Sequence, residues 1–227
     1  MRISEEPIVE SSAANILQQL SSRVHDRTAR SNLKAAARCL KEPALLDDIA
    51  RGLQGQDAAL VGDCAEVLTE VAGEKPELVV PYAMALAPLV NHATTRVRWE
   101  AMHALALVAT RDPRVIASLL PRLDEIIRLD GSVIARDYAV DAVGNYAGTN
   151  VQAARAAYPL LMDALTVYNG RQAWRALAGL AKAVAADPGL GDELGPVWER
   201  FADSTSGVVR KAARALMNAI KTNEDSR

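Results

Sequence analysis

Apolar residues along most of the chain recur at i, i+3, i+4 and i+7, as in Ala101, Ala104, Leu105 and Val108, and no segment alternates with the period of two that a half-buried strand needs. The pattern predicts amphipathic helices from end to end. It also repeats. Val97-Arg98-Trp99-Glu100-Ala101-Met102-His103-Ala104-Leu105 lies over Ala135-Arg136-Asp137-Tyr138-Ala139-Val140-Asp141-Ala142-Val143 without a gap, and the Ala-x-x-Ala-Leu core returns at Ala173 to Leu177 and Ala212 to Leu216. Weaker copies begin at Cys64 and Ala36. The spacing is about 28 residues once and then about 34 to 39, the length of a unit of two helices.

Punctuation between the copies agrees with that unit. Pro43, Pro76, Pro113 and Pro188 stand where the first helix of a pair should open, and a proline there forfeits only an N–H that would be unpaired anyway. Asp112 and Asp187 precede two of them as expected N-caps. Gly131, Gly148, Gly170 and Gly207 mark turns between helices. The expected organisation is a single domain of about six antiparallel helix pairs, with a capping pair at about 8–41, repeats at about 43–222 and a short polar tail at about 223–227.

Composition narrows the class. Half of the 227 residues are apolar, 24% are charged, 4% are aromatic and the net charge is -2. An all-β fold is excluded, since strands would bring more aromatic and β-branched side chains. No stretch reaches the ~18 apolar residues of a membrane span, and the start, Met1 to Glu6, lacks a signal peptide's hydrophobic region, so no membrane partner and a cytoplasmic setting are expected. Cys39 and Cys64 fall among Ala and Leu on helical patterns and read as buried, reduced thiols.

The residues resemble the HEAT repeats, whose pattern is a first helix with an internal proline, a turn with Asp or Asn, and a second helix opening with Val-Arg and continuing through spaced Ala and Leu. Pro88, Asn91, Val97-Arg98, Ala101 and Ala104-Leu105 match it closely. Pro121, Asp130, Arg136, Ala139 and Ala142-Val143 match again, as do Pro196, Asp203, Val209-Arg210, Ala212 and Ala215-Leu216. The resemblance covers residues from about 43 to about 222 and implies an all-α, right-handed α-α superhelix, a HEAT-like solenoid. In that family the interval from the turn residues Asn91, Asp130, Asn169 and Asp203 to Arg98, Arg136, Arg175 and Arg210 marks a structural ladder. Arg175 stands in a shifted register.

Second helices of such a solenoid line one concave surface. Helical geometry then puts Trp99 and His103, Asp137 and Asp141, Arg171 and Arg175, and Arg210 and Arg214 on its floor, after Lys34, Arg38, Gly62 and Glu66 from the earlier repeats. Those eight residues from Trp99 to Arg214 are the candidate partner-binding set, with Trp99 as a contact residue. Trp174 is expected to pack between repeats, and Trp198 with Phe201 to anchor the last first-helix to the core.

Catalytic chemistry finds few components. His25, His92 and His103 lie on three different elements without an i+4 partner for a metal, and Glu66, His103 and Asp141 stand one repeat apart, roughly 10 Å between helix axes, too far to act together. Gly189-Leu190-Gly191 lacks the third glycine and the preceding strand of a phosphate loop. No catalytic residue, cofactor or metal is expected. Two enzyme families are built on HEAT-like repeats. The deoxyhypusine hydroxylase type holds iron with His-Glu dipeptides, which do not occur here. The alkylpurine DNA glycosylase type needs a Trp with an Asp one turn later and a basic groove, whereas Trp99 is followed by His103 and the chain is slightly acidic. The expected function is a non-enzymatic scaffold that binds a protein or peptide along the concave face. The alternative is a DNA-binding HEAT-like protein related to the alkylpurine DNA glycosylases.

Overall fold

In the computed structural model, which describes residues 14–224, every regular element is helical. The first two helices described are α1 (Ala14–Gln18) and α2 (Arg30–Lys41). A turn at Pro43–Leu45 leads into α3 (Leu46–Gly52), which pairs with α4 (Ala58–Glu74). In the third pair the first helix is broken into α5 (Pro76–Val79), α6 (Ala83–Leu86) and two 3-10 turns, followed by α7 (Thr95–Val108). The fourth pair is α8 (Pro113–Leu129) and α9 (Val133–Ala147). The fifth is α10 (Val151–Ala164) and α12 (Ala173–Ala186), with the single-turn α11 (Val167–Gly170) between them. A turn at Pro188–Leu190 opens the sixth, α13 (Gly191–Ala202) and α14 (Gly207–Glu224). Residues 8–13 of the expected capping pair and 225–227 of the expected tail lie outside the described residues, and α14 continues into the start of that tail.

Second helices stack in sequence order, α2 on α4, α4 on α7, α7 on α9, α9 on α12 and α12 on α14, and the first helices form an outer layer against them. One continuous apolar core runs between the layers from Ile16 to Ile220. Cys39 and Cys64 sit in it as free thiols, pushed up to about 11 and about 12 chiefly by burial.

Proline placement explains the one broken helix. Pro43, Pro76, Pro113 and Pro188 open their elements as expected. Pro121, Pro159 and Pro196 are tolerated singly inside α8, α10 and α13, but the third first-helix carries Pro76, Pro81 and Pro88, and the missing N–H groups leave 3-10 turns at Val80–Tyr82 and Ala87–Asn91. Asp187 caps its turn by accepting from the Gly189 N–H at 3.0 Å. Asp112 makes no cap bond; its carboxylate takes the Arg114 guanidinium at 3.0 Å.

Two local features fix how the fifth pair sits. Tyr168, Asn169 and Gly170 have φ of 49°, 56° and 71°, three successive left-handed residues that reverse the chain ahead of α12. Where α9 meets α12, a Cβ on Gly144 would lie 2.9 Å from the Gly179 Cα, so the two backbones touch there.

Burial corrects the register of α12. Ala135, Ala139, Val140, Ala142 and Val143 of α9 correspond to Gln172, Ala176, Leu177, Gly179 and Leu180, all buried. The sequence match to Ala173–Leu177 would instead place buried Val140 over Trp174, which is 38% exposed. Ala173 therefore occupies the slot of Arg136, and Arg175 the slot of Tyr138.

Candidate binding face

Tyr138 is the centre of the side chains that the second helices present together. The His103 ring stacks on it at 3.9 Å between centroids, inclined by 11°, and Trp99 lies 6.3 Å away on the same helix as His103. From the next repeat the Arg175 guanidinium reaches over, 5.9 Å from the Tyr138 centroid and 4.4 Å from that of Trp174. Arg175 also pairs with Asp141 and stands 3.6 Å from Asp137, while Gln172 donates to Asp137 at 3.2 Å. Three successive helices thus join Trp99, His103, Asp137, Asp141 and Arg175 of the expected set, with Tyr138 and Trp174 added.

Electrostatics in this cluster follow from burial and two cations, Arg175 and, at Asp141, also Lys182. Burial first, and then the Arg175 charge, push the His103 imidazole down to about 4, so it is neutral at pH 7. Burial raises the Asp141 carboxyl and Asp137 adds to the effect, with Arg175 opposing it. The two aspartates share one guanidinium and present no free acidic patch. Asn169 does not meet Arg175, because the shifted register of α12 turns that side chain toward α9.

Arg98, Arg136 and Arg210 act alike. Each guanidinium donates to carbonyls of the turn before its own helix: Arg98 to His92 and Ala93 at 3.0 Å, Arg136 to Asp130, and Arg210 to Ser204 at 2.6 Å and Thr205 at 3.0 Å. Arg98 also crosses to the next turn, 3.1 Å from the Asp130 carboxylate. Of the four turn side chains expected in the ladder only Asp130 accepts from an arginine, Arg98; the other acceptors are backbone carbonyls, and Arg210 is held by its own turn rather than free on the floor. Arg171 and Arg214 are exposed. Arg214 lines an open cavity of about 420 Å³ with Arg210, Lys211 and Asn218.

Toward the N-terminal end the face is acidic and internally bonded. Asp63, 1% exposed, accepts from the Ser22 N–H at 2.6 Å, Asn32 at 3.0 Å and Arg96 at 2.9 Å. Burial opposes its ionisation, yet these bonds hold its carboxyl below the ordinary range. Arg96 and Asn32 each donate to Glu66 at 2.6 Å. Glu100 is 3% exposed. Burial, and then Glu66, push its carboxyl up to about 8 against the pull of Arg96 and the Thr69 hydroxyl. Sequence reasoning missed Asn32, Asp63, Arg96 and Glu100; charged residues at core positions of the repeat, Asp63 and Glu100 in corresponding slots, were the signal available.

Trp174 departs from expectation, standing exposed in line with Trp99 and Asp137 rather than packing between repeats. Trp198 and Phe201 pack against the core as expected. Among the described residues no three His, Cys, Asp or Glu side chains converge to hold a metal ion, and no helix is long and apolar enough to cross a membrane.

Comparison with solved structures defines the fold. An engineered protein superposes with a TM-score of 0.71 at 17% identity, covering 94% of this chain and 98% of that one. A designed armadillo repeat protein in complex with the peptide (KR)4 gives 0.72 at 19% identity over 92% of this chain and 100% of its own. The complex of CpcE and CpcF of phycocyanin lyase from a Nostoc species gives 0.55 at 16% identity, with coverage of 97% and 82%. No family model matches the chain, and no curated protein matches it in sequence. The chain has the α-α solenoid fold of the armadillo and HEAT-like repeat proteins.

Proposed function

We propose that this chain is a non-enzymatic, cytoplasmic scaffold whose second-helix face binds a partner protein or peptide through Trp99, His103, Asp137, Asp141, Arg171 and Arg214, joined by Tyr138 and Trp174. The observation that carries the reading is the exposed Trp174 ring, continuous through Arg175 with the Tyr138, His103 and Trp99 rings on two neighbouring helices. An aromatic side chain left in water beside fixed charges is the composition of an interface anchor. The peptide complex of the designed armadillo repeat protein supports a peptide as the class of occupant. Candidate acid–base groups are engaged elsewhere: Asp137 and Asp141 by Arg175, His103 by Tyr138. The two thiols are buried and their ionisation is suppressed.

A photo-crosslinking side chain in place of Arg171 tests this against the same group in place of Met84, which is 67% exposed on the outer-layer α6. In cells that make the protein, the Arg171 position should capture a defined set of proteins that the Met84 position does not. Equal capture at both positions, or capture at Met84 alone, would move the interface off this face.

A further inference from the structure

We infer that the C-terminal half of this face, formed by α12 and α14, docks an extended peptide segment rich in Asp and Glu that seats one apolar side chain on Trp174; the inference rests on the scaffold reading above. Charge is sorted between helices. α4 contains Asp63, Glu66, Glu70 and Glu74 and neither Lys nor Arg. α12 contains no carboxylate, and α14 contains only its terminal Glu224. Arg175 is bound to Asp137 and Asp141, and Arg210 to the carbonyls of its turn. Besides Lys221 in the last turn of α14, what remains is Arg171, Lys182, Lys211 and Arg214. Among the described residues no ion pair reaches any of the four, and Lys182 donates only to the neutral amide oxygen of Asn145.

Lys182 shares α12 with the exposed Trp174 ring, Arg171 stands just before that helix, and Lys211 and Arg214 lie on the adjacent α14. Carboxylates suit the arginines, whose planar guanidinium takes both oxygens at once. The Debye length at physiological salt is about 8 Å, so the acidic α4 end neither cancels this patch nor shares its ligand; it repels any acidic chain that runs too far along the stack. That limit favours a short acidic peptide over nucleic acid, whose phosphate backbone would run on from the four cations toward Glu70 and Glu74 of α4, carboxylates that no ion pair reaches among the described residues.

A displayed library of random twelve-residue peptides, selected on the full chain and on a Lys182→Glu/Arg214→Glu variant, tests the inference, with far-ultraviolet circular dichroism as the check on folding. The wild-type chain should enrich peptides with several Asp or Glu around a Leu, Phe or Trp. The variant should lose that enrichment. A fluorescein-labelled peptide from the wild-type selection should bind about tenfold or more weakly to the charge-reversed variant and several-fold more weakly to Trp174→Ala. Enrichment of basic or uncharged peptides would overturn the acidic assignment and leave the scaffold reading standing. Acidic peptides that bind equally to the variant, or a single-stranded oligonucleotide that binds more tightly than they do, would also overturn it. No enrichment at all would count against both readings.

Discussion

The guanidinium carbon of Arg136 lies 3.5 Å from the centroid of the Tyr168 ring, and the Tyr168 hydroxyl donates to the carbonyl of Asp130 at 3.4 Å, the same carbonyl to which Arg136 donates. Two repeats are thereby locked at one turn. A tyrosine in left-handed conformation costs on the order of 1 kcal/mol or more, and the stacked guanidinium offsets that cost.

Arg136→Ala should therefore destabilise the chain by about 2 to 4 kcal/mol, since it removes a stacked, 2% exposed cation together with its hydrogen bond to a turn carbonyl. Arg136→Lys should recover less than half of the loss, because an ammonium lacks the planar face that covers Tyr168. Urea denaturation of the two variants checks both values; a fully stable Arg136→Lys would show that charge alone is at work.

Gly144→Ala should lower stability by about 1 to 3 kcal/mol. The added Cβ would meet the Gly179 backbone at 2.9 Å, so α9 and α12 must separate, whereas an alanine at Gly131 meets nothing within 4 Å. Thermal melts of the two variants should differ accordingly, and equal melts would mean the crossing is loose.

Glu100 and His103 load the pH dependence in opposite directions. The folded-state carboxyl of Glu100 is raised to about 8, so between its ordinary value and pH 8 the folded chain holds a proton the unfolded chain has lost, and stability falls as pH rises. The imidazole of His103 is lowered to about 4, so between pH 6.5 and 4 the unfolded chain takes up a proton first, and stability falls as pH drops. Glu100→Gln should gain on wild type as pH rises from 5 to 8, by on the order of a few kcal/mol. Denaturant midpoints at pH 5, 6.5 and 8 check this, and a constant offset between the two proteins would remove Glu100 from the account.

Arg175→Ala should cost about 1 to 3 kcal/mol near pH 7, because Asp137 and Asp141 would face each other without their shared cation. The Asp141 carboxyl, already raised, should rise further, and the variant's deficit should shrink as pH falls and the carboxylates protonate. Arg171→Ala, at an exposed position, should stay within about 0.5 kcal/mol of wild type. Carbon-detected titration of the carboxyl groups and denaturant melts at two pH values separate these outcomes.

Local periodicity determined the helices, the pairing of first with second helices, and the prolines that open them, because each depends on residues within a turn or two along the chain. The Arg98, Arg136 and Arg210 contacts were legible for the same reason: donor and acceptor lie in one turn and the helix that follows it. Trp174 and Arg175 were not. The Ala-x-x-Ala-Leu motif matches α12 almost equally well after a slip of three residues, a rotation of only about 60° that still keeps Leu177 in the core. That slip decides which of Trp174 and Arg175 faces water and which faces Asp141, and the register that occurs is the one in which α9 and α12 meet at Gly144 and Gly179. The stack of His103 on Tyr138 and the pairing of Arg96 with Asp63 and Glu66 likewise join different repeats, and they exist because neighbouring second helices pack at one angle and one height.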